Sequence, residues 1–144
     1  MSTNPPYVSD RAATHAAYSR VRNHQASRCN CSDCRNFQAA RASVFPAAFL
    51  DLLTDLGIDP EKEVEIYREG RNPEGNHSYG GWFHFVGSLN QLADVDPINL
   101  GGGFTYYMCA PHGPRLKPFE GLSVVQLEFS ARCIPWLLDE DEPL

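Results

Sequence analysis

Three thiols and an imidazole fall inside one short polar segment, His24-Gln-Ala-Ser-Arg-Cys29-Asn-Cys31-Ser-Asp-Cys34. The Cys-x-Cys-x-x-Cys spacing can aim three sulfurs at one point in a tight turn, and a fourth ligand from elsewhere would complete the tetrahedron that a structural Zn²⁺ prefers. Zinc is the cofactor this stretch calls for, with Cys29, Cys31 and Cys34 as three of its ligands. Two plainer readings use the same residues: ordinary helix-cap and core cysteines, or a redox pair with a spectator thiol. Disulfide scaffolding fits poorly. Five cysteines leave one unpaired, and the opening Met-Ser-Thr-Asn-Pro-Pro-Tyr lacks the charged and apolar regions of a secretory signal. A reducing cytoplasm is the expected compartment.

Several residues compete for the fourth position. His84 sits within Gly-Gly-Trp-Phe-His-Phe-Val-Gly, an aromatic stretch with the character of a strand, where a buried imidazole needs a polar partner. Zinc would supply one and would fasten the helical half of the chain to the sheet, so His84 is the expected fourth ligand; the plainer alternative is a half-exposed strand histidine. His24 would close a small local loop. Cys109 and His112, in Cys-Ala-Pro-His, and Cys133 are the remaining choices.

Other chemistry is less well supported. Catalytic zinc needs three protein ligands and a position for water, but the His-x-Glu and Pro-Cys-x-x-Cys pairing of zinc deaminases is missing, and three thiolates make a metal a poor Lewis acid. Cys109 and His112 could serve as nucleophile and base only if the fold brings them together. Gly101, Gly102 and Gly103 precede a strand-like segment, not the helix N-terminus that a phosphate loop requires.

These residues need elements to position them. Residues 1–8, with Pro5 and Pro6, read as a flexible arm. Ser9 or Asp10 can cap a helix running to about residue 25, with Ala13, Ala16, Ala17 and Val21 at helical spacing. Ser32 or Asp33 can cap a second helix, residues 34–44, burying Phe37, Ala40 and Val44. Pro46 opens a third, residues 46–56, which Gly57 ends, with Phe49, Leu50, Leu53 and Leu56 facing inward. The period then changes to two. Strands are expected over 63–68, 82–89, 104–109 and 122–133, separated by segments rich in Gly, Pro and Asn. The expected fold is α+β, with three short N-terminal helices and a zinc knuckle packed on a four-stranded antiparallel sheet. Residues 9–138 would form one zinc-stabilised domain. Trp136 and Leu137 should dock, leaving the acidic tail 139–144 solvated.

Charge is unevenly placed. Residues 1–45 carry six arginines against two aspartates, a net +4, while residues 46–144 hold six bases against sixteen acids, a net −10. The simplest meaning is attraction between halves; the alternatives are a basic surface for nucleic acid or an acidic surface for a protein partner. No apolar run approaches a membrane span. The expected function is that of a small zinc-stabilised binding protein, acidic in the manner of antagonist or immunity proteins, whose partner is another protein. A zinc- or cysteine-dependent enzyme is one alternative; a nucleic-acid module using the arginine-rich N-terminal helices is the other.

Overall fold

Asp10 is where the extended N-terminal segment becomes helix, its carboxylate accepting the Ala13 N–H at 3.0 Å. The computed structural model describes residues 6–22, 29–90 and 96–144. Among them are three helices, α1 (Arg11–Ser19), α2 (Ser32–Val44) and α3 (Ala47–Leu56), the last closed by Gly57 in the left-handed conformation at φ 83°. Strands follow: β2 (Glu65–Arg71), β3 (His77–Leu89), β4 (Ile98–Gly101), β5 (Phe104–Cys109) and β6 (Val124–Ile134); a short β1 (Tyr7–Ser9) precedes α1.

The architecture is the expected α+β, but the sheet has six strands, not four. Its order is β1-β3-β6-β5-β4, and β2 also pairs with β3; all pairings are antiparallel. The additional strands are short. β1 lies in the expected arm and β4 in the expected loop, and neither has enough alternating apolar residues to show a period of two. β3 also starts at His77, well before the expected residue 82. Gly80 and Gly81 look like turn residues, yet they are strand positions thinned for neighbouring rings. A Cβ at Gly80 would stand 2.6 Å from the Tyr67 ring on one face, and one at Gly81 would stand 2.8 Å from Phe129 on the other.

β3 organises the sheet. One edge pairs with β6 from His77 to Val86; the other pairs with β2 up to Trp82 and with β1 from Gly87. Between those two partners α1 closes the edge with side chains. The Tyr18 hydroxyl donates to the His84 carbonyl at 2.7 Å and accepts the His84 N–H at 3.1 Å, and the Thr14 hydroxyl accepts the Val86 N–H at 2.9 Å. Both residues are fully buried, so no backbone group there is left without a partner.

Helices α2 and α3 cover one face of the sheet. Phe37, Phe45 and Phe49 meet Phe83, Phe104 and Phe129, with Phe104 and Phe129 stacked at 6.0 Å and Phe45 edge-on to Phe129 at 5.2 Å. Leu50, expected inside, is exposed. The C-terminal segment departs from expectation too. Asn36, fully buried, accepts the Leu137 N–H at 2.7 Å and donates to the Pro135 carbonyl at 3.1 Å. Trp136 lies against His77, but the Leu137 side chain is exposed. Two of the four acids expected in solvent are paired, Glu140 with Arg35 and Glu142 with the buried His77, whose Nε2 is 2.6 Å away. Arg35 on α2 holds the first, while His77 on β3 and Arg71 on β2 face the second.

Candidate functional site

The cysteine turn is built on the first turn of α2. The expected caps were Ser32 and Asp33, but the capping residue is Cys31, whose sulfur receives the Cys34 N–H at 3.4 Å. A helix N-terminus offers unpaired amides, and the Cys31 sulfur satisfies one of them. The sulfurs of Cys29, Cys31 and Cys34 all lie within 4.8 Å of one another, those of Cys29 and Cys31 3.1 Å apart, and all three are free thiols. Sulfurs around one Zn²⁺ at the usual bond length of about 2.3 Å stand about 3.8 Å apart, so the donor set fits such an ion. Hydrogen bonding with Cys31 and Cys34 holds the Cys29 thiol below its ordinary value. Burial, with the neighbouring sulfurs, pushes the Cys34 thiol up.

The structure does not bring the expected fourth ligand to this turn. His84 is fully buried on β3, where its Nε2 lies 2.9 Å from Gln126 Oε1; an amide supplies the polar partner that zinc was expected to supply. Cys109 and His112 belong to a different cluster, Cys133 is exposed near the C-terminal end of β6 and does not join the three sulfurs, and His24 lies outside the described residues. Among the described residues no histidine, aspartate or glutamate joins the three sulfurs.

A second polar centre stands on the sheet face turned away from α2 and α3. Register pairs Glu128 with Trp82 and Tyr107, and Gln126 with His84 and Cys109, so all six point the same way. Glu128 Oε2 accepts from the Tyr107 hydroxyl at 2.8 Å and from the Cys109 thiol at 3.3 Å, and His112 Nε2 is also 3.3 Å away. Gln126 fixes the neighbouring protons. Its Oε1 accepts the backbone N–H of His112 at 3.1 Å, so its NH₂ must face His112 Nε2, 2.9 Å away. That nitrogen is then the unprotonated one. The same Oε1 requires His84 Nε2 to be the protonated nitrogen, leaving the lone pair of His84 Nδ1 buried with no partner among the described residues. Trp82 Nε1, on the same face, is likewise buried without an acceptor among the described residues.

The electrostatics oppose one of the alternative chemistries. Burial, then the hydrogen bond and charge of Glu128, push the Cys109 thiol up to about 12, and its hydrogen bond goes to that carboxylate instead of an imidazole. A thiol in that state is not an activated nucleophile at neutral pH. Burial alone would push the Glu128 carboxyl up, but the hydrogen bonds from Tyr107 and Cys109, with the His112 ring beside it, outweigh burial and hold the group below the usual carboxylate range. Sequence reasoning singled out Cys109 and His112 but missed Glu128, Gln126, Trp82 and Tyr107. The available signal was the alternation along β6, which sets Gln126 and Glu128 on one face.

His84 gives this region a pH dependence. Burial holds its pKa below the ordinary histidine value, so the unfolded chain takes up the proton first as pH falls. Stability is fully present above about pH 6.5 and declines below it, by up to about 1.4 kcal/mol per pH unit. Urea midpoints measured from pH 7.5 to 5 should show that decline. His84→Asn, which keeps a donor for Gln126, should flatten it; an unchanged slope would remove His84 as its source.

The arginines do not form one basic stripe. Arg35 is paired with Glu140, Arg41 with Glu63, and Arg11 donates to the Thr54 carbonyl. Arg20 and Arg22 do meet Arg115 and Lys117 around a groove of about 710 Å³, where Glu65 and Glu120 also face. No helix among the described residues is long and apolar enough to cross a membrane. No protein-family model, curated protein or solved structure matches the chain.

Proposed function

We propose that the chain is a zinc-stabilised α+β protein that acts by binding another protein, and that the contact is made on the sheet face away from α2 and α3. One observation carries the reading. Tyr67 and Tyr107, 43% and 36% exposed, stand on that face with Trp82 beside Tyr67, and their hydroxyls feel the charges of Glu69 and Glu128. Aromatic rings bring contact area at little entropic cost, and carboxylates beside them favour a cationic side chain from the partner. A basic segment of another protein has that chemistry. Cys29, Cys31 and Cys34 would hold the zinc, which adds stability where the chain enters α2 and takes no part in the contact.

Two measurements test the parts separately. Protein purified without added metal should carry zinc, and Cys31→Ser should lose one equivalent per chain and melt at a lower temperature. Equal zinc in both proteins would sink the staple. For the contact, a poly-arginine peptide should perturb tryptophan fluorescence where a polyglutamate peptide does not, and Tyr67→Ala should weaken that binding about tenfold. Equal response to both peptides, or no effect of Tyr67→Ala, would sink the proposed surface.

A further inference from the structure

We infer that Cys109, His112 and Glu128 form a second metal site, separate from the cysteine turn, which takes a divalent cation of the zinc and cobalt type. The three ligand atoms, one sulfur, one nitrogen and one oxygen, lie within 4.8 Å of one another. Each is held from a different direction. Glu128 comes from the centre of β6, Cys109 from the end of β5, and His112 from the following loop, whose backbone is tied to Gln126.

Proton placement makes these groups ready for a cation. Gln126 presents its NH₂ to His112 Nε2, which selects the neutral tautomer with that nitrogen as electron-pair donor, the form in which histidine ligates metals. The contact with Glu128 Oε2 asks the opposite of the same nitrogen, because two lone pairs 3.3 Å apart repel. A divalent cation among Nε2, Oε2 and the Cys109 sulfur turns that repulsion into three attractions and releases the thiol proton to solvent. The amide N–H and the cation compete for one lone pair, so binding turns the His112 ring, whose side chain is 60% exposed, off Gln126.

The surroundings suit the role. Tyr107 donates to Glu128 Oε2 at 2.8 Å, an outer hydrogen bond that orients a ligating carboxylate. Trp82 packs on the His112 ring at 5.5 Å. Thiolate and imidazole in one set favour zinc and cobalt over magnesium and calcium, which prefer oxygen alone. With three protein donors and an exposed flank, the set leaves a coordination position for water or a small anion from solvent, unlike a closed structural site. Trp82 Nε1–H, buried and without an acceptor among the described residues, adds a spare hydrogen-bond donor on the same face.

Titration of the reduced, metal-free full chain with Co²⁺ tests this, because thiolate–cobalt charge transfer in the near ultraviolet reports sulfur ligation. Wild type should take up two equivalents. His112→Ala and Cys109→Ser should each weaken one equivalent at least about tenfold, Cys109→Ser also removing its share of the charge-transfer band, while the equivalent lost in Cys31→Ser remains. His112 is exposed enough for its alanine variant to fold, so the test survives a poorly folded Cys109→Ser. Uptake of a single equivalent sensitive only to Cys31→Ser overturns the second site, and a single equivalent sensitive only to His112→Ala upholds it while overturning the zinc staple. Two equivalents unaffected by His112→Ala overturn it as well.

Discussion

Replacing Arg41 by Met is expected to lower the unfolding free energy by about 3–5 kcal/mol, the usual result of leaving a buried charge without its partner. Glu63 is completely buried, and Arg41 grips both of its oxygens, at 2.8 and 2.9 Å. The same guanidinium donates to the Pro60 carbonyl at 3.0 Å and lies 5.1 Å from the centre of the Phe37 ring. It therefore pins the segment entering β2 to the last turn of α2. Urea unfolding at pH 7 measures the loss. The double variant R41M/E63L, which removes both charges, should return to within about 1 kcal/mol of wild type, because an apolar pair of similar volume replaces an ion pair with little net change. An unaltered midpoint for R41M would mean that water reaches Glu63.

Tyr18→Phe should cost roughly 3 kcal/mol although it removes a single oxygen. That oxygen serves both the N–H and the carbonyl of His84, and each buried group left alone costs about 1–3 kcal/mol. The ring itself remains, packed edge-on against Phe119 at 4.8 Å, so no large cavity contributes. Urea midpoints give the size of the effect, and the His84 amide should exchange with solvent faster. Tyr7→Phe is the control: its ring also packs edge-on against an aromatic, Phe85, but at the margin of the sheet, and its loss should stay within about 0.5 kcal/mol. Equal effects of the two would show that the hydroxyl bridge contributes nothing.

Tyr18 also marks how far the sequence could be read. It lies beside the apolar positions Ala17 and Val21 of the first helical segment, but nothing in a helical pattern tells that its hydroxyl replaces a strand. The long elements were legible because their apolar residues repeat: α3 with its closing glycine, and β6 with Val125, Leu127 and Phe129 on one face. β1 and β4 were not, since three or four residues carry no repeat and their pairing is decided by distant partners. The cysteine trio was legible because its members are neighbours in sequence. The Glu128 centre joins residues of three segments, and only the register of β5 on β6 brings Cys109 and Glu128 to one place. His84 was misread for a related reason: a buried imidazole demands a partner, but the sequence does not say that the partner is Gln126.

The closure of β3 bears on how the chain is assembled during synthesis. His84 is joined to Tyr18, 66 positions earlier, and to Gln126, 42 positions later. At ordinary translation rates of about 5–20 residues per second, β3 waits some 2–8 s after leaving the ribosome before β6 exists to pair with it. Through that interval Trp82, Phe83 and Phe85 belong to a half-made ribbon with one bare edge, the kind of surface on which nascent chains stick to one another. The opposite edge can already be covered by β1, β2 and the side chains of α1, all made before β3, which leaves a single flank for a chaperone to guard.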